Sequence, residues 1–334
     1  NIPAVVTCEA EDYESLTRCV DASVDYKGSA YRIYLTGMIE CPKDSCTINL
    51  INRQIPVEIV GESGAGFKRR GNYAFPLIRI EGSENITIRN LIFDEGLGYD
   101  CPYPSSACRS TIEVVNSTNI VMDRVSILYP KVMGIEVSGT DGFTLKYSSI
   151  TGAYVFGVWL SDDPLQLSMN VHINNNTFID NRSNAVFFAA DGTKADPNDI
   201  VRNTFIHNHH DALFAVCGAS GTDLCGGGQL YVVHGKNVRI AGNVIRNGVI
   251  EGEGAPPVSG IEIEGLLTDA VITGNTIVGN SGWGIILDYW NDKVPALAGD
   301  VVIENNRVYG NDFAPIVVPG ATVGANCYAV VCPR

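Results

Sequence analysis

The chain has 334 residues, 45% of them hydrophobic, and 37 acidic against 23 basic side chains give a formal net charge of −14. This length is enough for one solenoid domain, and the acidic balance argues against nucleic acid, whose phosphates require clustered Lys and Arg. No apolar run is long enough to cross a bilayer, so membrane insertion is not expected. The chain begins at Asn1 without Met, so we expect a processed form that has lost any signal peptide.

The first predicted element is a short helix. Residues Glu9 to Val20 carry apolar side chains at helical spacing. A stack of strands needs both ends covered, because exposed strand edges invite association. We therefore expect one domain, with an N-terminal cap and first strands in residues 1–54, coils in residues 55–319 and a C-terminal cap in residues 320–334.

One short phrase recurs along the coils: a small residue, an alternating apolar strand and a polar turn. Its copies begin at Leu77, Thr111, Gly134, Gly157, Ala185, Ala212, Gly260, Gly284 and Pro315. The start-to-start spacing varies between 23 and 48 residues. A variable period in this range is typical of stacked repeats that share one core.

Asparagines recur in the turns before several copies. The pairs are Asn176 with Asn181, Asn203 with Asn208, Asn275 with Asn280, and Asn306 with Asn311. Asn tolerates left-handed backbone and can bond to the equivalent Asn one coil away, which predicts a stacked Asn ladder. Each repeat then holds about three short strands without helical periodicity.

This pattern resembles the pectate-lyase-like right-handed parallel β-helix superfamily over about residues 55–319. The strands of a β-sandwich also alternate apolar and polar residues, but a β-sandwich would not repeat one phrase eight or nine times. The resemblance implies an all-β solenoid of about nine coils. It also implies a carbohydrate-active enzyme, because polysaccharide lyases, C5-epimerases and glycoside hydrolases share this fold.

The ten cysteines fall into five close pairs. We predict the disulfides Cys8–Cys19, Cys41–Cys46, Cys101–Cys108, Cys217–Cys225 and Cys327–Cys332, which indicate an oxidising, extracellular compartment. Zinc is disfavoured because no pair has Cys-x-x-Cys spacing and no His accompanies them. Sequons at Asn85, Asn116, Asn175 and Asn181 are compatible with a secreted glycoprotein.

Ionisable side chains recur three residues before the opening of four consecutive copies. They are Lys131, Tyr154, Arg182 and His209, and we expect them to stack on one wall of the solenoid. His210 and Asp211 follow directly, and Asn184 and Asp211 should occupy equivalent positions on adjacent coils. We take as candidate catalytic residues His209, His210, Tyr154, Lys131, Arg182 and Asp211.

The third position of each copy should point outward. Read along the axis, this position holds Arg79, Glu113, Glu136, Trp159, Phe187, Phe214, Glu262 and Ile286. The consecutive aromatics could stack on sugar rings, or they could be covered by loops or form an oligomer contact. We take as candidate substrate-binding residues Trp159, Phe187, Phe214, Glu136, Glu262 and Asn184.

These residue types suit proton abstraction from a uronate. That reaction needs the sugar carboxylate neutralised, a base at C5 and a proton donor. Lys131 and Arg182 could neutralise the sugar carboxylate. His209 or His210 could act as the base, and Tyr154 could act as the acid. The sequence therefore favours a lyase or C5-epimerase acting on an acidic polysaccharide, with no required cofactor.

The sequence departs from known signatures of that superfamily. It has no Asp-Pro-His-Asp stretch of the alginate-epimerase kind, the nearest being Asp196-Pro-Asn, and no Trp-Ile-Asp-His or Arg-x-Pro-x-x-Arg of pectate lyases. These departures favour no single sugar, linkage or reaction class.

Three alternatives stay open. A glycoside hydrolase needs two carboxylates, for which the candidates are Asp211, Glu264, Asp288 and Glu136. A non-catalytic glycan-binding solenoid would use the aromatics alone. A calcium ion could bind near Asp162, Asp163 and Asp191, although their spacing matches no dedicated loop. The expected partner is a polysaccharide, and the expected assembly is a monomer or small homo-oligomer.

Overall fold

The structure is a computed structural model that describes residues 5–42, 46–70, 75–97, 109–210, 227–250, 257–287 and 297–329. It also gives the backbone of two short antiparallel strands, Val216–Cys217 and Asp223–Leu224. Apart from that pair, the described strands are parallel and wind into a β-helix with three sheets. The predicted all-β solenoid is confirmed.

We call the three walls sheets I, II and III, in the order in which the chain passes through them from Ile48 onward. Sheet I contains Ile48–Ile51, Ile78–Glu81, Ile112–Val115, Ile135–Ser138, Val158–Leu160, Val186–Asp191, the first parts of Gly227–Ala241 and Val258–Thr273, Ile285–Leu287 and Ile316–Val317. It therefore begins one coil before the first predicted copy at Leu77.

Sheet II contains Val5–Ala10, Ala30–Leu35, Val57–Gly61, the first parts of Glu84–Asp94 and Thr118–Leu128, Asp141–Lys146, Ser168–Met169, His172–Asn174, Asn198–Val201, the last parts of Gly227–Ala241 and Val258–Thr273, Leu297–Glu304 and Thr322–Val323. Sheet III contains Met38–Glu40, Gly66–Lys68, the last parts of Glu84–Asp94 and Thr118–Leu128, Ser149–Thr151, Thr177–Ile179, Thr204–Ile206, Val244–Arg246, Thr276–Val278 and Arg307–Tyr309.

The interior is filled by the inward side chains of the three sheets. Because side chains alternate along a strand, every second residue points into the coil. Phe178 and Phe205 stack inside with ring centroids 5.2 Å apart, and both are fully buried. Truncating such a ring costs about 3–5 kcal/mol. These stacks therefore help to hold adjacent coils in a single register.

Two polar ladders run along the turns. In the first ladder, between sheets II and III, each Asn Nδ2 donates to the Oδ1 of the next Asn at 2.9–3.1 Å, through Asn176, Asn203, Asn243, Asn275, Asn306 and Asn326. In the second ladder, between sheets III and I, hydrogen bonds of 2.7–3.0 Å join the side-chain amides of Asn181, Asn208, Gln229, Asn280 and Asn311. The predicted Asn ladder is confirmed, and Gln229 replaces Asn in one coil.

The N-terminal helix spans Tyr13–Ala22, so the expected start at Glu9 is wrong. The Asp12 side chain accepts a 2.7 Å hydrogen bond from Ser15 N and caps the helix, while residues up to Ala10 form a sheet II strand. This helix has 10 residues, and no helix in the described ranges is long and apolar enough to span a membrane.

Two of the predicted disulfides are confirmed. Cys8 pairs with Cys19, which ties the first strand to the cap helix, and Cys41 pairs with Cys46. Cys327 is also disulfide-bonded. The side chains of Cys101, Cys108, Cys217, Cys225 and Cys332 lie outside the described residues.

The prediction that Ala212 opens a coil is wrong. The sheet I strand that follows Ala185 opens at Gln229 instead, because Val186 pairs with Leu230. A Cβ added to Gly227 would lie 2.1 Å from His209 Cε1, so the chain enters this strand where only glycine fits against the histidine ring. Ala212 itself lies outside the described residues.

Candidate functional site

The four ionisable residues do lie on successive coils, in the turn between sheets III and I. Tyr154 N donates to Pro130 O at 3.0 Å, Arg182 N to Ala153 O at 2.9 Å and His209 N to Asn181 O at 2.9 Å. In a parallel ladder this pattern places each residue beside its counterpart one coil away. We call Lys131, Tyr154, Arg182 and His209 the outer column.

Two members of the outer column stack directly. The guanidinium carbon of Arg182 lies 4.6 Å from the centroid of the Tyr154 ring. A guanidinium over an aromatic face is attracted by the ring quadrupole. This contact fixes a cation and a phenol side by side on adjacent coils.

The outer column is more buried than an open cleft would be. Lys131, Tyr154 and His209 are only 4%, 8% and 3% exposed, and Arg182 is half-buried. Tyr154 also packs with Val132 and Val155 in a small apolar cluster separate from the main core. Arg182 is therefore the member most accessible to a ligand.

A buried ion pair extends the column toward the N-terminus. Arg69 Nη2 lies 2.6 Å from Glu95 Oε1, and both side chains are at most 2% exposed. Glu95 also accepts from Thr111 Oγ1 at 2.7 Å and from Lys131 N at 3.3 Å. Buried charges need such partners. Sequence reasoning missed Glu95 because it belongs to no recurring phrase, although it directly follows a sheet III strand.

The hydrogen bonds of Asn184 determine the tautomer of His209. Asn184 Nδ2 donates to Gly228 O at 2.5 Å and lies 3.3 Å from His209 Nδ1. A carbonyl oxygen only accepts, so the amide nitrogen faces Gly228, and its second N–H points to Nδ1. His209 Nδ1 is then the acceptor, and the ring proton of neutral His209 is on Nε2.

His210 packs against His207, and Gly228 occupies the position expected for Asp211 beside Asn184. His210 stacks on His207, with ring centroids 4.9 Å apart, and His207 Nδ1 lies 2.8 Å from Asp180 Oδ1. The expected pairing of Asn184 with Asp211 is wrong, because the coil beside Asn184 contributes Gly228. Asp211 lies outside the described residues.

The outward face of sheet I carries an aromatic stripe, defined as Trp159, Phe187 and Tyr231. The strand register aligns Trp159 with Phe187 and Phe187 with Tyr231, with ring centroids 6.4 and 5.4 Å apart. The predicted place of Phe214 is therefore taken by Tyr231, and Phe214 lies outside the described residues. Phe156, which the sequence reasoning missed, lies 5.4 Å from Phe187 and stands two residues after Tyr154.

Carboxylates flank the aromatic stripe at both ends. Glu136 aligns with Trp159 and accepts from Ser110 Oγ at 2.7 Å, and Glu113 aligns with Glu136. Burial, and then the nearby charge of Glu136, raise the pKa of Glu113. At the other end, Glu262 aligns with Tyr231 and is 3% exposed.

The remaining carboxylate candidates form no comparable group. Glu264 is half-buried, and its expected partner Asp288 lies outside the described residues. Asp162 and Asp163 are exposed, whereas Asp191 lies 2.7 Å from His234 Nε2. Within the ranges that the structure describes, no group of three or more His, Cys, Asp or Glu could hold a metal ion. A calcium ion near Asp162, Asp163 and Asp191 therefore stays a prediction.

Comparisons with known proteins agree with this architecture. A family model described as a right handed beta helix region matches residues 74–226. An exopolygalacturonase from Thermotoga maritima superimposes with a TM-score of 0.53 at 12% identity, covering 98% of this chain and 92% of that enzyme. The chain therefore has the right-handed β-helix fold.

Other solved β-helices resemble this chain with comparable TM-scores. The catalytic domain of an α-1,3-glucanase gives a TM-score of 0.50 at 14% identity, covering 96% of this chain and 68% of that domain. The A-module of a mannuronan C-5 epimerase from Azotobacter vinelandii gives 0.49 at 14% identity, covering 98% and 97%. A comparison with curated proteins finds no match. Such low identities establish the fold alone, so the reaction of this β-helix must be argued from its own residues.

Proposed function

We propose that this β-helix acts on an acidic polysaccharide by abstracting the C5 proton of a uronate, as a lyase or a C5-epimerase. The observation that carries the proposal is the Arg182 guanidinium 4.6 Å from the Tyr154 ring, within a column that also contains Lys131 and His209. A cation, a phenol and an imidazole on adjacent coils supply the three functions that this reaction needs.

Arg182 is the group that would meet the uronate carboxylate. It is the most accessible member of the outer column, and a guanidinium can bind a carboxylate through two parallel hydrogen bonds. Neutralising that carboxylate stabilises the negative charge that develops when C5 loses its proton. Lys131 is 4% exposed beside buried Glu95, so its role is to hold the column together and to add positive potential.

The tautomer of His209 reverses the roles expected from the sequence. His209 Nδ1 accepts from Asn184, so Nδ1 does not take the C5 proton, and we assign His209 as the donor, which acts as the imidazolium through Nε2–H. Tyr154 Oη would take the C5 proton after giving its own proton to solvent. In a lyase, the bond between C4 and the glycosidic oxygen then breaks, a C4–C5 double bond forms and His209 protonates the departing oxygen. In an epimerase, His209 returns a proton to the opposite face of C5.

The aromatic stripe would hold the neighbouring sugars. Aromatic faces pack well against the C–H faces of sugar rings, and Phe156 connects Tyr154 to Phe187. The Cys8–Cys19 and Cys41–Cys46 disulfides support an oxidising, extracellular location, where polysaccharides are found.

The test is Tyr154→Phe, with Tyr147→Phe as the matched control. Tyr147 is 55% exposed, and the Arg124 guanidinium lies 5.6 Å from the centroid of its ring. Unlike Tyr154, it follows a sheet II strand and lies outside the outer column. Across a panel of alginates, pectins and glycosaminoglycans, Tyr154→Phe should lower kcat by about 10²–10⁴-fold, the usual loss for general acid–base catalysis. Tyr147→Phe should match the wild type, and equal activity in both variants would place the reaction elsewhere.

A glycoside hydrolase using Glu113 and Glu136 is the second candidate. The raised pKa of Glu113 and the hydrogen-bonded Glu136 on the adjacent coil form a pair in which one carboxyl can be the acid and the other can stay ionised. This candidate predicts new reducing ends without an unsaturated uronide, and Glu113→Gln should abolish the formation of those reducing ends. Binding without turnover would instead identify a non-catalytic glycan-binding protein.

A further inference from the structure

A cavity of about 520 Å³ opens at the N-terminal end of the outward face of sheet I. Its walls include Tyr13 of the cap helix, Phe75, Asn49, Arg79 and Glu81. This volume lies within the range of about 300–1,000 Å³ that is usual for small-ligand sites. None of the residues that line this cavity has a role in the proposed reaction.

The cavity and the aromatic stripe lie on the same outward face of sheet I. Strand pairing aligns Arg79 with Glu113, Glu113 with Glu136 and Glu136 with Trp159. Adjacent coils are about 4.8 Å apart, so Arg79 lies about 14 Å from Trp159 along the axis. A glycan that runs along sheet I would therefore reach the cavity a few sugar units beyond the aromatic stripe.

Phe75 is an exposed ring on a firmly held backbone. Its side chain is 64% exposed, yet its carbonyl accepts from Nη1 of buried Arg69 at 2.9 Å. The next carbonyl, Pro76 O, accepts from Thr47 Oγ1 at 2.8 Å. Fixing the backbone that carries an aromatic ring before a ligand arrives lowers the entropy cost of binding. Phe75 is thus well placed as a stacking surface.

The charges around the cavity select against a second uronate. Arg79 Nη2 lies 2.9 Å from Glu81 Oε2, and Arg79 Nη1 lies 3.7 Å from Glu113 Oε2. One guanidinium therefore already faces two carboxyl groups, and an incoming carboxylate would be repelled by Glu81. Sugar hydroxyls, by contrast, can donate to Glu81 and accept from Arg79 and Asn49.

We infer that this cavity is a distal subsite for an uncharged glycosyl unit, stacked on Phe75 and hydrogen-bonded to Arg79 and Glu81. The inference rests on the proposed polysaccharide substrate. It adds that the substrate is a heteropolymer, with a uronate at the outer column and a neutral sugar toward the N-terminal end. A homopolymer of uronates would leave this subsite empty or bind it poorly.

The experiment is calorimetric titration of the full chain with two sets of probes. One set contains neutral hexasaccharides of glucose, mannose, galactose and xylose, and the other contains hexamannuronate and hexagalacturonate. At least one neutral probe should bind. Phe75→Ala and Arg79→Met should each raise the Kd of that neutral probe by about tenfold, which is the size of the loss of one aromatic or hydrogen-bonding contact. Glu81→Gln should strengthen the binding of a uronate probe.

Tyr147→Ala is the control, because it removes another exposed ring that has an arginine neighbour, from a different sheet corner. It should leave every Kd unchanged, and thermal melts should show that all variants are folded. Failure of every neutral probe to bind, or a Kd unaffected by Phe75→Ala, would overturn the subsite. Activity on uronates is measured separately with Tyr154→Phe, so binding at Phe75 without uronate turnover would overturn the proposed reaction alone.

Discussion

The second ladder and the outer column are built from neighbouring residues of the same turns, yet one repeats a single type of side chain and the other does not. Asn181 is followed by Arg182, and Asn208 by His209. The ladder residues repeat an amide from coil to coil and bond to one another at 2.7–3.0 Å. The outer column changes its residue at every coil. Repetition at a fixed register therefore marks what holds the coils together, and variation beside it marks the candidate site.

Among the variants that separate the outer column from the second ladder, Arg182→Met should lower activity most. It keeps the side chain's volume but removes the charge that would neutralise the uronate carboxylate, and loss of one such group costs about 10²–10³-fold in kcat. Because Arg182 is half-buried and not part of either ladder, the free energy of unfolding should change by less than about 1 kcal/mol. Steady-state kinetics and urea unfolding would measure both quantities on one preparation.

Asn181→Leu should show the opposite pattern. Asn181 Oδ1 accepts from Ala153 N at 3.0 Å, and its Nδ2 donates to Asn208 Oδ1 at 2.7 Å. A leucine would leave buried polar groups on both neighbouring coils without partners, at about 1–3 kcal/mol for each group. Urea unfolding should therefore show a loss of roughly 3 kcal/mol. If Asn181→Leu were as stable as the wild type, the ladders would not be what holds the coils.

Asn184→Asp should alter the protonation of His209 rather than the fold. An aspartate at this position accepts a proton from Nδ1, so it would favour the opposite tautomer and the imidazolium form. Nitrogen NMR should show Nε2–H in the wild type at neutral pH and Nδ1 protonation in the variant. Because His209 is the proposed proton donor, the alkaline limb of the kcat profile should move to higher pH. An unchanged spectrum would contradict the assignment of His209 as the donor.

Glu113→Gln should have the smallest effect, and it should depend on pH. The pKa of Glu113 is raised above its ordinary value of 4.5, so the folded protein binds this proton more tightly than the unfolded chain does. Stability should therefore fall as pH rises above 4.5, and the variant should remove that loss. Its melting temperature should exceed that of the wild type near pH 7 and equal it near pH 4. Glu62→Gln, at an exposed position, should show no such difference.

Local repetition explains how much of this molecule could be predicted. The phrase at Gly157 and Ala185 led to the correct pairing of Trp159 with Phe187, because small openings and inward apolar residues recur there. The same alternation at Ala212 was misleading. The strand opens instead at Gln229, and Gly227, two residues before it, fits against the ring of His209. That constraint joins residues from different coils, so it leaves no periodic signal.

The candidate site was only partly predictable for the same reason. Vertical alignment of Tyr154, Arg182 and His209 follows from register, which the repeats reveal. Their burial and the ion pair of Arg69 with Glu95 depend on how turns from distant coils cover one another. The role of His209 depends on Gly228 O, a backbone atom that carries no side-chain signature.

The fate of the C5 hydrogen tests the central claim most directly. The uronate polymers of the panel would be incubated with the protein in deuterated water and analysed by mass spectrometry and ultraviolet absorbance. Reaction at the outer column predicts deuterium at C5 of an epimerised residue, or an unsaturated uronide at a new chain end, and neither product with Tyr154→Phe. New reducing ends with neither deuterium at C5 nor unsaturation would contradict the claim and point to Glu113 and Glu136.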